Sequence, residues 1–139
     1  MKYLLRISLF CFVLIGSLAL FSCQQPGGNE TALLQGAVTI GPIFPVEIPG
    51  EDRPVPPEVF TSRKIMIYDE SGENLVRKVA IIQIGQTASG YYTAQIAPGT
   101  YTIDINRAGI DRADNLPKKV TVSADETVTI DVNIDTGIR

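Results

Sequence analysis

The chain has 139 residues, with 12 Lys plus Arg against 15 Asp plus Glu, and neither His nor Trp. Setting aside residues 1–22, which read as a targeting segment, leaves 10 basic and 15 acidic side chains, a net charge of −5. An acidic balance without a basic cluster argues against nucleic acid as a partner. The remaining length suits one domain with a single core. Both Cys lie within the first 23 residues, so no intramolecular disulfide is expected in the globular part. With no His and one Cys left after the targeting segment, zinc sites of the usual N/S type are excluded.

Lys2 and Arg6 open the chain, and an apolar run follows from Ile7 to Phe21, broken by Ser8, Gly16 and Ser17. A basic start, a hydrophobic stretch of this length and small residues near its end describe a secretory signal peptide. The run is short for a membrane span, which takes about 20 apolar residues. Leu20-Phe21-Ser22-Cys23 resembles the lipobox of bacterial lipoproteins. That resemblance implies a diacylglyceryl thioether on Cys23 and cleavage before it by the lipoprotein signal peptidase. It also implies acylation, such as palmitate, at the new N-terminus. The expectation is a signal peptide over 1–22 and a lipidated tether over 23–32. Cys11 would be discarded with the signal. Two or three buried acyl chains, at about 0.8 kcal/mol per CH₂, make a lasting membrane anchor. Gln24 after the Cys, where Asp would retain a lipoprotein on the inner membrane, points to the outer membrane if the host has one.

From Leu33 the apolar pattern has period two. Val38 and Ile40 share a face, as do Ile65 and Ile67. A longer run spans Leu75 to Ile84, and Tyr92, Ala94 and Ile96 share the next face. Tyr101, Ile103 and Ile105 follow, then Val120 and Val122, then Val128, Ile130, Val132 and Ile134. These are seven strands rich in Val, Ile, Thr and Tyr, each with one wet face. Asp69-Glu70-Ser71-Gly72 marks a hairpin between the second and third, and residues 85–90 separate the third and fourth. Ala97-Pro98-Gly99 fits a type II turn, with Pro setting φ and Gly taking φ > 0. Ala124-Asp125-Glu126 joins the last two strands. No helix of ordinary length is visible, although 108–116 has room for one turn. The expected fold class is all-β, an antiparallel seven-stranded β-sandwich.

Gly90-Tyr91-Tyr92-Thr93-Ala94-Gln95-Ile96-Ala97-Pro98-Gly99-Thr100-Tyr101 resembles the core motif of carboxypeptidase regulatory-like domains, of the transthyretin-like (prealbumin-like) group. Gly36 and Val38 match that family's first strand. The resemblance implies one such domain over 33–139, with the Pro-Gly turn closing a hairpin and each Tyr packed inward. It implies no catalysis, because the related domain of carboxypeptidases is structural. A second likeness covers Gly41-Pro42-Ile43-Phe44-Pro45-Val46-Glu47 and Asp52-Arg53-Pro54-Val55-Pro56-Pro57. It resembles a secreted bacterial subgroup with Cys where Phe44 and Val55 stand. That likeness implies that Phe44 and Val55 face each other in place of a crosslink.

Candidate sites are few. No nucleophile–base pair can be built around His, and no Ser stands in a hydrolase elbow, so no catalytic residue and no cofactor is expected. Glu47, Glu51, Asp52 and Glu58 in the Pro-rich loop, with Asp111 and Asp114 after Arg107, are the carboxylates that could supply hard oxygen ligands to Ca²⁺. Their spacing matches no EF-hand loop, and Arg53, Arg107 and Arg112 among them favour solvated ion pairs. Asp131 and Asp135, with Thr127 and Thr129, read as the wet face of the last strand. Tyr68, Tyr91, Phe60 and Phe44 would make a binding patch if they shared a surface. The expected function is a lipid-anchored, non-enzymatic module of the cell envelope, acting as a scaffold or interaction domain. Its partners would be the membrane, through the acyl groups, and an envelope protein. The competing expectations are a lipoprotein that binds Ca²⁺, a sugar or another small ligand with loops at one end, and an assembly subunit that uses a free strand edge.

Overall fold

The structure, a computed structural model, describes residues 30–46, 50–51, 53–107 and 109–138. The expectations for the signal segment, for Cys23 and most of the tether, and for Glu47 and Asp52 lie outside the described residues. Among the described residues nine strands follow in chain order: β1 (Ala32–Gly41), β2 (Lys64–Tyr68), β3 (Leu75–Ala80), β4 (Ile82–Gln83), β5 (Ser89–Ile96), β6 (Gly99–Ile105), β7 (Lys118–Val122), β8 (Thr127–Thr129) and β9 (Val132–Asp135). A four-residue helix, α1 (Glu58–Thr61), follows Pro56-Pro57, where Pro57 already holds helical φ. Sheet A runs β4-β5-β1, with β8 and β9 both on the far side of β1; sheet B runs β3-β2-β6-β7.

The inward residues of the two sheets meet in one core. Leu34, Val38, Ile40, Tyr92, Ala94, Ile96, Val132 and Ile134 come from sheet A, and Ile65, Ile67, Ile103, Ile105 and Val122 from sheet B. Each fully buried aliphatic side chain contributes roughly 1.5–3 kcal/mol by leaving water. This is an all-β, two-sheet architecture, and the alternation along the strands accounts for it.

Two of the seven expected strands are divided. The run from Leu75 to Ile84 crosses from one sheet to the other. Lys64 pairs Ala80 at the end of β3, and Ile82 pairs Tyr91 at the start of β4. Val79 and Ile81 on either side of the crossing are both buried. Because both sheets face the same core, alternation continues unbroken through such a corner. The final run is interrupted at Ile130-Asp131, and its halves, β8 and β9, pair with β1 in parallel rather than antiparallel.

The Pro98-Gly99 turn also differs from expectation. β5 belongs to sheet A and β6 to sheet B, so Ala97-Pro98-Gly99 is an arch between the sheets, not a hairpin. Gly99 does take a positive φ, as expected, but at 158° it is far from the +80° of a type II turn. The Tyr101 hydroxyl closes the arch by donating to the Ala97 carbonyl at 2.9 Å, the geometry of a tyrosine corner. The Asp69 hairpin is as expected: β2 and β3 pair antiparallel around it. The Asp69 carboxylate accepts from the Ser71 hydroxyl and the Asn74 amide, which holds its pKa well below the usual carboxylate range.

Gly36 and Tyr92 organise the interruption of the last strand. Gln35 faces Thr129 and Val38 faces Val132, so the register does not slip across it. Gly36 lies opposite Tyr92, and the Tyr92 hydroxyl donates to the Ile130 carbonyl at 2.8 Å in the buried interior. Burial first, and the Asp131 charge second, push the Tyr92 phenol upward, so it stays protonated and donates. The Ala37 amide, which would otherwise lack a ladder partner, donates to Asp131 Oδ1 at 2.8 Å. A side-chain carboxylate here replaces a strand hydrogen bond. Tyr92→Phe is expected to leave the Ile130 carbonyl without its donor and destabilise by about 1–2 kcal/mol, read as a lower urea midpoint at unchanged slope.

Candidate functional site

Among the described residues, an open depression of about 390 Å³ lies on the outer face of sheet A. Ala37 and Thr39 of β1 form its floor beside Val132, and Arg112, Asp114, Asn115, Asp131, Asn133 and Asp135 surround it. Strand alternation places the last three: with Val132 and Ile134 buried, the residues on either side of them and between them face outward.

The 109–117 segment forms the other wall and is tied down at several points. Its backbone meets β9 in an antiparallel bridge, Arg112 N–H to the Asp135 carbonyl at 2.9 Å and Asp135 N–H to the Arg112 carbonyl at 2.8 Å. The Asn115 amide donates to the Asp131 carbonyl at 2.7 Å, and Ala113 and Leu116 enter the core. Asp111 is buried and held in a fork by Arg63, with Nε to Oδ2 at 2.7 Å and Nη2 to Oδ1 at 2.9 Å. Arg63 Nη1 also donates to the Val59 carbonyl at 2.7 Å. Asp111, one of the candidate Ca²⁺ ligands, is therefore committed to a structural ion pair joining α1 to this segment.

The depression carries three carboxylates and one guanidinium. Asp131 Oδ1 accepts from Ala37 and Asp135 Oδ1 from the Gly137 amide at 2.8 Å, so two of the three carboxylates already hold backbone. Among the described residues, no Ser, Cys, Lys or His lines it. Carboxylate, amide and guanidinium groups together suit hydroxyl-rich or cationic ligands.

The other candidates are dispersed. Glu51 pairs with Arg53 at 3.4 Å on the surface, and Glu58 opens α1 and is exposed. Phe60 is fully buried; a Cβ on Gly90 would stand 2.7 Å from its ring, so glycine there makes room for it. Tyr91 is exposed on the outer face of sheet A, and Tyr68 is half-buried on sheet B. The four aromatic residues thus do not form the shared patch that their composition suggested. Phe44 is half-buried with the Arg53 guanidinium 5.2 Å from its ring centre, whereas Val55 is in the core.

Asp131 and Asp135 were readable as outward residues, and Asp114 as a loop carboxylate. Arg112, Asn115 and Asn133 were missed as members of the same wall. The one available signal was the polar alternation Asp131-Asn133-Asp135; nothing local indicated that the 109–117 segment would dock on that strand.

No family model matches this chain, and no curated protein matches it. Among solved structures it is similar to a DUF3823 family protein from Parabacteroides merdae ATCC 43184, at 17% identity and a TM-score of 0.40. That match covers 77% of this chain and 47% of the other, so the chain spans about half the length of that protein.

Proposed function

We propose that the chain is a lipid-anchored, non-enzymatic module of the cell envelope, its sandwich acting as a scaffold or interaction domain. The observation that carries this reading is Leu20-Phe21-Ser22-Cys23 at the end of an apolar run that begins behind Lys2 and Arg6. The acyl groups would bind the membrane, with the outer membrane as destination in a host that has one. The sandwich itself is proposed as a carboxypeptidase regulatory-like, transthyretin-type domain, on the strength of the Gly90–Tyr101 motif.

The test is Cys23→Ala in a bacterial host. The variant is expected to lose the N-terminal lipid, seen by mass spectrometry of the N-terminal peptide. It is expected to stay unprocessed or leave the membrane fraction, with an unchanged melt of the sandwich. A processed Cys23→Ala protein still held in membranes would defeat the reading.

A second reading has its own support. The depression between the 109–117 segment and β9 would hold a polyhydroxyl or cationic ligand of the envelope. Among the described residues, the 42–60 loop, expected to share in such a site, contributes nothing to its wall. Titration with soluble glycans and with Ca²⁺ against Asp114→Ala distinguishes this from a scaffold without a ligand.

A further inference from the structure

Charge is distributed unequally between the two sheets. The strands of sheet B carry Lys64, Arg77, Lys78, Lys118 and Lys119 against one acid, Asp104. The strands of sheet A carry no basic residue, and their only acid, Asp135, adjoins Asp131. This segregation occurs in a chain whose total charge is negative.

Register places three of these lysines on one plane. Ile65, Ile67 and Ile103 point into the core, so their neighbours Lys64, Met66, Tyr68, Thr102 and Asp104 take the opposite face, where Met66 is itself covered. Lys78 lies opposite Met66, and Lys119 opposite Thr102. Lys64, Lys78 and Lys119 therefore stand on the outer face, extending from the β3 margin through β2 to the β7 margin. Arg107 offsets Asp104 at 3.5 Å, and Glu70 approaches Lys119 at 3.9 Å at one end with both side chains largely exposed. Lys118 is opposite buried Ile103, so it projects toward the other side of the same strand.

We propose that the outer face of sheet B docks on anionic phospholipid headgroups. A planar array with cations at both margins fits a plane of negative charge. Each lysine near such a surface strengthens attachment roughly fivefold, and salt screens the effect within about a Debye length. This inference rests on the anchoring reading for proximity: from Cys23 to Glu30 the chain reaches roughly 25 Å when extended, enough to let either sheet meet the membrane. The charge selects sheet B, since the outer face of sheet A presents carboxylates.

The experiment reconstitutes the full acylated chain into vesicles of phosphatidylcholine alone or mixed with phosphatidylglycerol, then maps lysine acetylation by mass spectrometry. Lys64, Lys78 and Lys119 are expected to become several-fold less reactive than Lys118 in the phosphatidylglycerol vesicles, and to recover in high salt. The double variant Lys78→Glu, Lys119→Glu, checked for an unchanged fold by circular dichroism, should remove the protection of Lys64. Equal reactivity in both vesicle types overturns the proposal while leaving the anchor intact. Protection in native membranes but not in phosphatidylglycerol vesicles also overturns it, in favour of a protein partner. If the chain enters neither vesicle type, the anchoring reading has failed. Sedimentation of the unacylated chain with phosphatidylglycerol vesicles then decides alone: salt-sensitive binding with the same lysines protected supports the face, and no binding overturns it.

Discussion

Gly36→Ala is expected to lower stability by about 3 kcal/mol or more, among the largest effects available in this chain. An ideal Cβ at Gly36 would stand 1.9 Å from the Ile130 carbonyl oxygen and 2.9 Å from the Tyr92 ring. Neither neighbour can yield cheaply. The carbonyl is backbone that already accepts the Tyr92 hydroxyl, and the ring is among the largest fully buried side chains. Moving either would also strain the Ala37–Asp131 bond one residue away. Overpacking of this kind commonly costs about 1–3 kcal/mol, and more when backbone must shift. Gly41→Ala is the control, because nothing lies within 4 Å of the place its methyl group would take on the same strand. Urea unfolding of the two variants side by side checks the claim. Equal midpoints would show that the last strand gives way more easily than its hydrogen bonds imply.

Asp111→Ala is expected to cost about 3–5 kcal/mol, because it leaves the Arg63 guanidinium buried without its counter-charge. The Arg63 side chain is 13% exposed and the Asp111 side chain 2%, so water cannot replace the lost fork. The double variant Arg63→Met, Asp111→Leu should regain most of the loss, since apolar replacement of a buried pair is often near neutral. A double-mutant cycle measures both. The 109–117 segment should loosen in Asp111→Ala, seen as faster amide exchange at Arg112, whose N–H pairs with Asp135. A loss confined to global stability, with that amide still protected, would mean that the other ties hold the segment without the ion pair.

The all-β, two-sheet character was legible because Ile65, Ile67, Tyr92, Ile96, Ile103 and Ile134 all stand at period-two positions and all proved buried. Which strand pairs with which was not. Alternation reports a residue's facing, not its neighbour, so Val79 and Ile81 read as one strand while the chain passed between sheets. The arch at Pro98 escaped for a related reason: Pro-Gly between two strands is equally compatible with a hairpin and with a crossing. The interruption at Ile130-Asp131 was hidden because Asp131 occupies an ordinary outward position, and only its hydrogen bond to Ala37 marks it as part of the ladder. Asp111 looked like any loop carboxylate, since its partner Arg63 lies 48 residues away.

The central place of β1 in sheet A sets an order of events during synthesis. Its two neighbours are β5 on one side and β8 with β9 on the other, and Ile40 must wait for Ile134. A ribosome that has made the first half of the chain has produced β1 without any strand that pairs with it. Ala32–Gly41 has no charge and no proline, and after β5 has paired one of its edges the other stays open until β8 and β9 emerge. Non-local pairing of this sort slows folding and lengthens the life of sticky intermediates. The first strand is thus the segment most in need of a holding factor while the chain is incomplete.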